Sequence, residues 1–143
     1  PTEKSFITNS LGNAIGYARK LNGEVKPSAT KVVRVDTIKA NEGELNAFGW
    51  HLLETKRFSQ AILYLNRATE LEPNDNGAIN NLAHCYLFNN DYEKAIKLYQ
   101  EFIAKAPSDQ AAQKTIIKDD FAYFQKIGFD KILIAKATTD LKL

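Results

Sequence analysis

Self-similarity at a fixed spacing constrains a chain more than any local preference, because each repeated unit must bury its apolar face against neighbouring units. Here the spacing is 34 residues. Sliding Glu42–Asp75 onto Asn76–Asp109 pairs Leu45 with Ile79, Phe48 with Leu82, Gly49 with Ala83, Leu52 with Tyr86, Phe58 with Tyr92, Ala61 with Ala95, Ile62 with Ile96, Leu65 with Tyr99 and Pro73 with Pro107. Only seven of the 34 pairs are identical, yet the matches fall where packing needs them. Apolar spacings of three and four residues predict two helices per unit, 42–55 with 58–71 and 76–89 with 92–105. Small residues facing each other, Gly49 against Ala61 and Ala83 against Ala95, would let the paired backbones approach. Phe58 and Tyr92 fill the space beside each turn, and Pro73 and Pro107 stop the second helices. Asn41 with Glu44 three residues on has the pattern of a capping box, and Ser108 or Asp109 is placed to cap the helix that follows.

These residues resemble two tetratricopeptide repeats, 34-residue helix–turn–helix units, over residues 42–109. Leu45 stands where that family usually has Trp, and Phe102 where it has a small residue late in the second unit. The resemblance implies an all-α fold, a right-handed α-α superhelix of such units with an N-terminal helix and an extended linker. Residues 1–41 would hold that helix and linker, 42–109 the two repeats, and 110–143 a degenerate third repeat serving as a cap.

The last segment echoes the repeats: FDKILIAKATT from Phe129 follows the pattern of FSQAILYLNRA from Phe58, 71 residues earlier. Two periods plus three residues imply a longer first helix, so helices are expected near 109–126 and 130–141, joined through Gly128. Ile116, Ile117, Phe121 and Phe124 are expected to face inward, with Ile132, Leu133 and Leu141 closing the end. At the other terminus Ile7, Leu11, Ala14, Ile15, Ala18 and Leu21 share one helical face, stopped by Asn22-Gly23. KVVRV at 31–35 reads as an extended linker or as a strand whose partner lies elsewhere, against the helical array or in a second copy, making a homodimer possible.

Charge and composition exclude several classes. Nineteen Lys and Arg against seventeen Asp and Glu leave +2, far from the basic footprint of a nucleic-acid binder. The charge is uneven. Residues 1–41 hold seven basic and three acidic side chains, 42–109 six and ten, and 110–143 six and four. No apolar run approaches the length that spans a membrane. Cys85 alone cannot form an intrachain disulfide and leaves the compartment open, cytoplasmic or exported. The absence of Met and the start at Pro1 read as a processed chain or one cut from something longer.

Little in the sequence carries chemistry. No glycine-rich phosphate loop or G-x-S-x-G is present, and Gly12 and Gly16 in a short polar helix mark a helix contact at most. His51, His84 and Cys85 are the soft metal ligands, but His84 and Cys85 as helix neighbours diverge by about 100° and form no chelating pair. Asp119 and Asp120 likewise point apart and read as a solvated face with no histidine to support acid–base work. Neither a cofactor nor an enzymatic activity is expected.

The informative surface is the groove that stacked first helices would line. By the family's pattern it would show Asn46, Ala47, Trp50, Leu53 and Glu54 from the first repeat, and Asn80, Asn81, His84, Leu87 and Phe88 from the second. Ala111, Lys114, Thr115 and Lys118 would follow from the third pair. Asparagine amides can pair with an extended peptide backbone, while Trp50 and Phe88 take apolar side chains; the competing reading packs these residues between helices. Of the set with which some family members grip a terminal carboxylate, two Lys, two Asn and an Arg, only Asn81 remains, which disfavours a chaperone-tail adaptor. The leading expectation is a non-enzymatic scaffold binding a protein or peptide partner through Asn46, Trp50, Asn80, Asn81, His84, Phe88, Lys114 and Lys118. The alternative is an accessory C-terminal tail of a larger bacterial enzyme, since ELNAFGWHLLETKRFSQAI is similar to repeat tails appended to serine hydrolases.

Overall fold

The computed structural model describes residues 40–143. The expected helix at 7–21 and the KVVRV segment at 31–35 lie outside the described residues. Among those described, every regular element is a helix: α1 (Glu42–Glu54), α2 (Phe58–Leu71), α3 (Asn76–Phe88), α4 (Tyr92–Ala104), α5 (Gln110–Lys126) and α6 (Lys131–Asp140). Neighbouring helices pack in pairs, α1 with α2 and α3 with α4 most closely. The chain divides into two compact units, Pro1–Asn74 and Asp75–Leu143.

Helix ends follow local chemistry. Asn41 and Glu44 form the expected capping box, with the Glu44 amide donating to Asn41 Oδ1 at 2.9 Å and the Asn41 amide to Glu44 Oε2 at 3.3 Å. Asp75, Asp91, Asp109 and Asp130 cap α3, α4, α5 and α6 by accepting first-turn amides. Each such cap contributes roughly 1 kcal/mol. Four of the six described helices, α1, α3, α5 and α6, end in one device. The amides of Arg57, Asp91, Phe129 and Leu143 donate back to the carbonyls of Leu52, Tyr86, Phe124 and Thr138. The preceding residues Lys56, Asn90, Gly128 and Lys142 take positive φ angles of 62°, 64°, 94° and 53°. This is the Schellman motif, which satisfies carbonyls that a helix end leaves open.

In the unit ending at Asn74, Leu45, Phe48, Leu52, Ala61, Tyr64, Leu65 and Ala68 are buried, and Phe48 meets Tyr64 edge-on at 5.0 Å. A Cβ on Gly49 would lie 2.5 Å from Leu65 Cγ. Gly49 is therefore a point of close approach, with the Leu65 side chain packed against it.

In the unit Asp75–Leu143 the core is aromatic. Phe124 stacks on Phe129 at 5.0 Å, and Phe88 meets Phe129 and Phe124 edge-on at 4.7 and 5.5 Å. Ile117, Phe121, Phe124 and Leu141 are buried as expected, but Ile116 and Ile132 are not. Gln113 instead joins the buried face of α5 and donates to the Phe102 carbonyl at 3.1 Å. Ile116 precedes Ile117 by one residue and so turns about 100° away. In α6 the inward positions are Ile134 and Ala137, leaving Ile132 at 81% exposure. Tyr92 on α4 donates its hydroxyl to Asp140 Oδ2 at 2.6 Å, and Lys136 lies over the Tyr92 ring at 4.0 Å, which ties α6 to α4.

Candidate functional site

The polar chemistry of Asp75–Leu143 converges on His84. Its spacing in α3 sets it on the stripe with Asn80, Leu87 and Phe88, all buried. His84 Nδ1 lies 2.6 Å from the Tyr99 hydroxyl of α4, and Nε2 lies 3.0 Å from Asp120 Oδ2 of α5. Asn80 Nδ2 donates to the same Asp120 oxygen at 2.9 Å. The rings of Tyr99, Phe121 and Phe124 surround the imidazole.

Protonation follows from this geometry. Full burial holds the His84 imidazole below its usual range, and this outweighs the opposing pull of Asp120. A carboxylate only accepts, so Nε2 carries the proton and donates to Asp120. Nδ1 then accepts from the Tyr99 hydroxyl, whose own ionisation burial pushes well above the ordinary phenol range. The result is a fixed chain from Tyr99 through His84 to Asp120. Asp120 is 26% exposed, so this chain ends at the surface. Asn80 Oδ1 is buried and accepts no hydrogen bond.

This corrects the expectation that Asp120 has no histidine near it. His84 and Asp120 are 36 residues apart in sequence, so spacing within one helix carried no sign of the pair. A core histidine with a buried tyrosine neighbour was the available signal, since a buried imidazole needs a partner for each nitrogen.

The other residues singled out in the sequence fall into distinct settings. Asn80, His84 and Phe88 are buried, while Asn81 and Lys114 are half-buried and Lys118 is exposed. Lys114 Nζ donates to the Lys142 carbonyl at 3.2 Å, beside a shallow depression lined by Gln100, Ile103, Gln110 and Asp140. In the other unit Asn46 and Trp50 are half-buried and Leu53 is buried. Cys85 is buried and its thiol is pushed up by desolvation, which leaves it protonated and unreactive. Among the described residues no cluster of three or more His, Cys, Asp or Glu side chains could hold a metal ion. Among them also, no helix is long and apolar enough to cross a membrane.

With the paired helices in place, the comparison with protein families gives one match: residues 52–117 match the family model of the tetratricopeptide repeat. Residues 52–117 are similar to tetratricopeptide repeats. No curated protein and no solved structure matches it significantly. Tetratricopeptide repeats typically serve as protein-interaction scaffolds, and the matched stretch runs from the end of α1 into α5.

Proposed function

We propose that the chain is a non-enzymatic scaffold that binds a peptide segment of a partner protein. The observation that carries this reading is the tetratricopeptide match at residues 52–117 on a set of paired helices. The buried placement of His84 and Asn80 gives them a structural task, holding α5 to α3 through Asp120, rather than direct partner contact. Of the residues chosen from the sequence, those proposed for partner contact are Asn81, Lys114 and Lys118 in the unit Asp75–Leu143 and, separately, Asn46 and Trp50 in the unit ending at Asn74. Lys and Asn side chains at these positions supply donors for peptide carbonyls, and Trp50 supplies apolar area.

A peptide array probed with the full chain tests the reading. Peptides that bind saturably should lose about tenfold in affinity, roughly 1.4 kcal/mol, on Lys118→Glu or Asn81→Ala. Binding by no peptide on the array would count against the scaffold, and binding indifferent to every substitution at these five positions would count against these contact residues.

A further inference from the structure

Within the unit Asp75–Leu143, α3 and α4 approach each other more closely than α5 approaches α4 or α6. Side chains rather than close backbones therefore join α5 to the unit, and several of them meet at one imidazole. Phe124 lies edge-on to the His84 ring at 4.8 Å, Phe121 lies 5.9 Å from it, and Asp120 Oδ2 takes the Nε2 proton at 3.0 Å. From α4, the Tyr99 hydroxyl reaches Nδ1 at 2.6 Å and its ring meets Phe121 edge-on at 5.7 Å. The connection into α6 joins the same interior through Phe129, stacked on Phe124 at 5.0 Å.

This arrangement is complete only for a neutral imidazole. The carboxylate accepts from Nε2, so Nδ1 must accept for the Tyr99 hydroxyl to donate. Among the described residues that hydroxyl makes no other hydrogen bond. A proton added at Nδ1 would set two donors face to face. The hydroxyl could then accept only by turning its own proton away, into an interior of aromatic rings. His84 is 0% exposed, so the added charge would also be shut off from water. Both effects cost free energy that a hydrated imidazole escapes. The titratable groups facing the ring are Tyr99 from α4 and Asp120 from α5, with Cys85 beside it on α3 and Tyr92 acting on Tyr99. Phe129, from the connection into α6, carries no charge. Of these groups Asp120 favours the imidazolium, and burial outweighs it.

We propose that protonation of His84 opens the unit Asp75–Leu143 at one seam, releasing α5 and α6 together while α3 and α4 keep their mutual pairing. Opening hydrates the imidazole, which then takes a proton near its ordinary value of 6.5, whereas the closed form resists that proton. Acid therefore draws the equilibrium toward the open form. The less closely packed segment is the one that leaves, because local opening follows the weakest set of contacts. This acid-driven opening precedes global unfolding and stands independently of the scaffold reading.

Amide hydrogen exchange of the full chain, read residue by residue by NMR at about pH 7.5 and about pH 5.5 and corrected for intrinsic rates, tests it. Amides of α5 and α6 should be less protected than those of α3 and α4, and their protection should fall together by up to about tenfold over this interval. His84→Gln keeps a donor for Asp120 and an acceptor for Tyr99 but does not titrate, so it should abolish that fall. His51→Ala, in the other unit, should leave the fall unchanged. Equal protection in all four helices would mean a single cooperative unit and overturn the proposal. A fall that persists in His84→Gln, or no fall in the unaltered chain, overturns it as well. Should His84→Gln not fold, the titration of the His84 ring in the unaltered folded chain, followed by its NMR shifts, decides the matter. A midpoint below 6.5 supports acid opening, and a midpoint at or above 6.5 overturns it, because acid would then favour the closed form.

Discussion

At the scale of single residues, backbone conformation is where this chain departs most from its own best choice. Lys56 and Asn90 adopt left-handed conformations at the ends of α1 and α3, whereas Gly128 serves the same turn after α5. A Cβ in that region costs about 1 kcal/mol relative to glycine. Lys56→Gly is therefore expected to raise stability by up to about 1 kcal/mol in urea denaturation, and Gly128→Ala to lower it by a similar amount. Nothing lies within 4 Å of a Cβ at Gly128, so the second change isolates the backbone effect. Gly49 is the contrasting case, with ordinary helical conformation but no room, because Leu65 Cγ and Cδ2 lie 2.5 and 2.6 Å from where a Cβ would stand. Gly49→Ala should cost about 1–3 kcal/mol, and an unchanged melting temperature would contradict this close approach.

At the scale of elements, α3, α4 and α5 are joined by one buried hydrogen-bonded chain, and that chain makes stability depend on pH. The folded pKa of His84 lies below its unfolded value of 6.5, chiefly because burial disfavours the imidazolium. Between those two values the unfolded chain binds more protons, so the stabilisation is fully present above about pH 6.5 and is lost as pH falls below it. The melting temperature should drop from about pH 7.5 to about pH 5, and His84→Gln should flatten the drop while lowering stability at neutral pH. His51 is shifted in the same direction, again first by burial. A His51→Ala control separates its share; a drop that survives His84→Gln but vanishes with His51→Ala would assign the pH response to α1 instead.

At the scale of the whole molecule, residues 110–143 complete the aromatic interior of the unit that begins at Asp75. Phe88 packs on Phe124 and Phe129, and Tyr99 on Phe121. Each ring contributes about 1.5–3 kcal/mol through burial. A chain ending at Asp109 would expose Phe88, His84 and Tyr99 together and lose the acceptor that Asp120 provides. It should bind the hydrophobic dye ANS and melt without a cooperative transition; retention of a sharp transition would deny α5 and α6 their capping role.

The sequence by itself determined the local architecture of the described residues, because the signals involved are local. Asn41, Asp75, Asp91, Asp109 and Asp130 satisfy amides two or three residues away, and apolar spacing of three and four fixes where each helix runs. The expected helices at 42–55, 58–71, 76–89, 92–105, 109–126 and 130–141 differ from those observed by no more than one residue at either end. Which stripe of α5 meets a neighbour was decided only by the tertiary structure. Ile116 and Ile117 are the same residue type but stand about 100° apart, and only the placement of the neighbouring helices decides that Ile117 is buried and Ile116 is not. The same holds for Asp120. Its partners Asn80 and His84 come from another helix, and no periodicity within α5 encodes a partly exposed carboxylate that anchors an interior histidine.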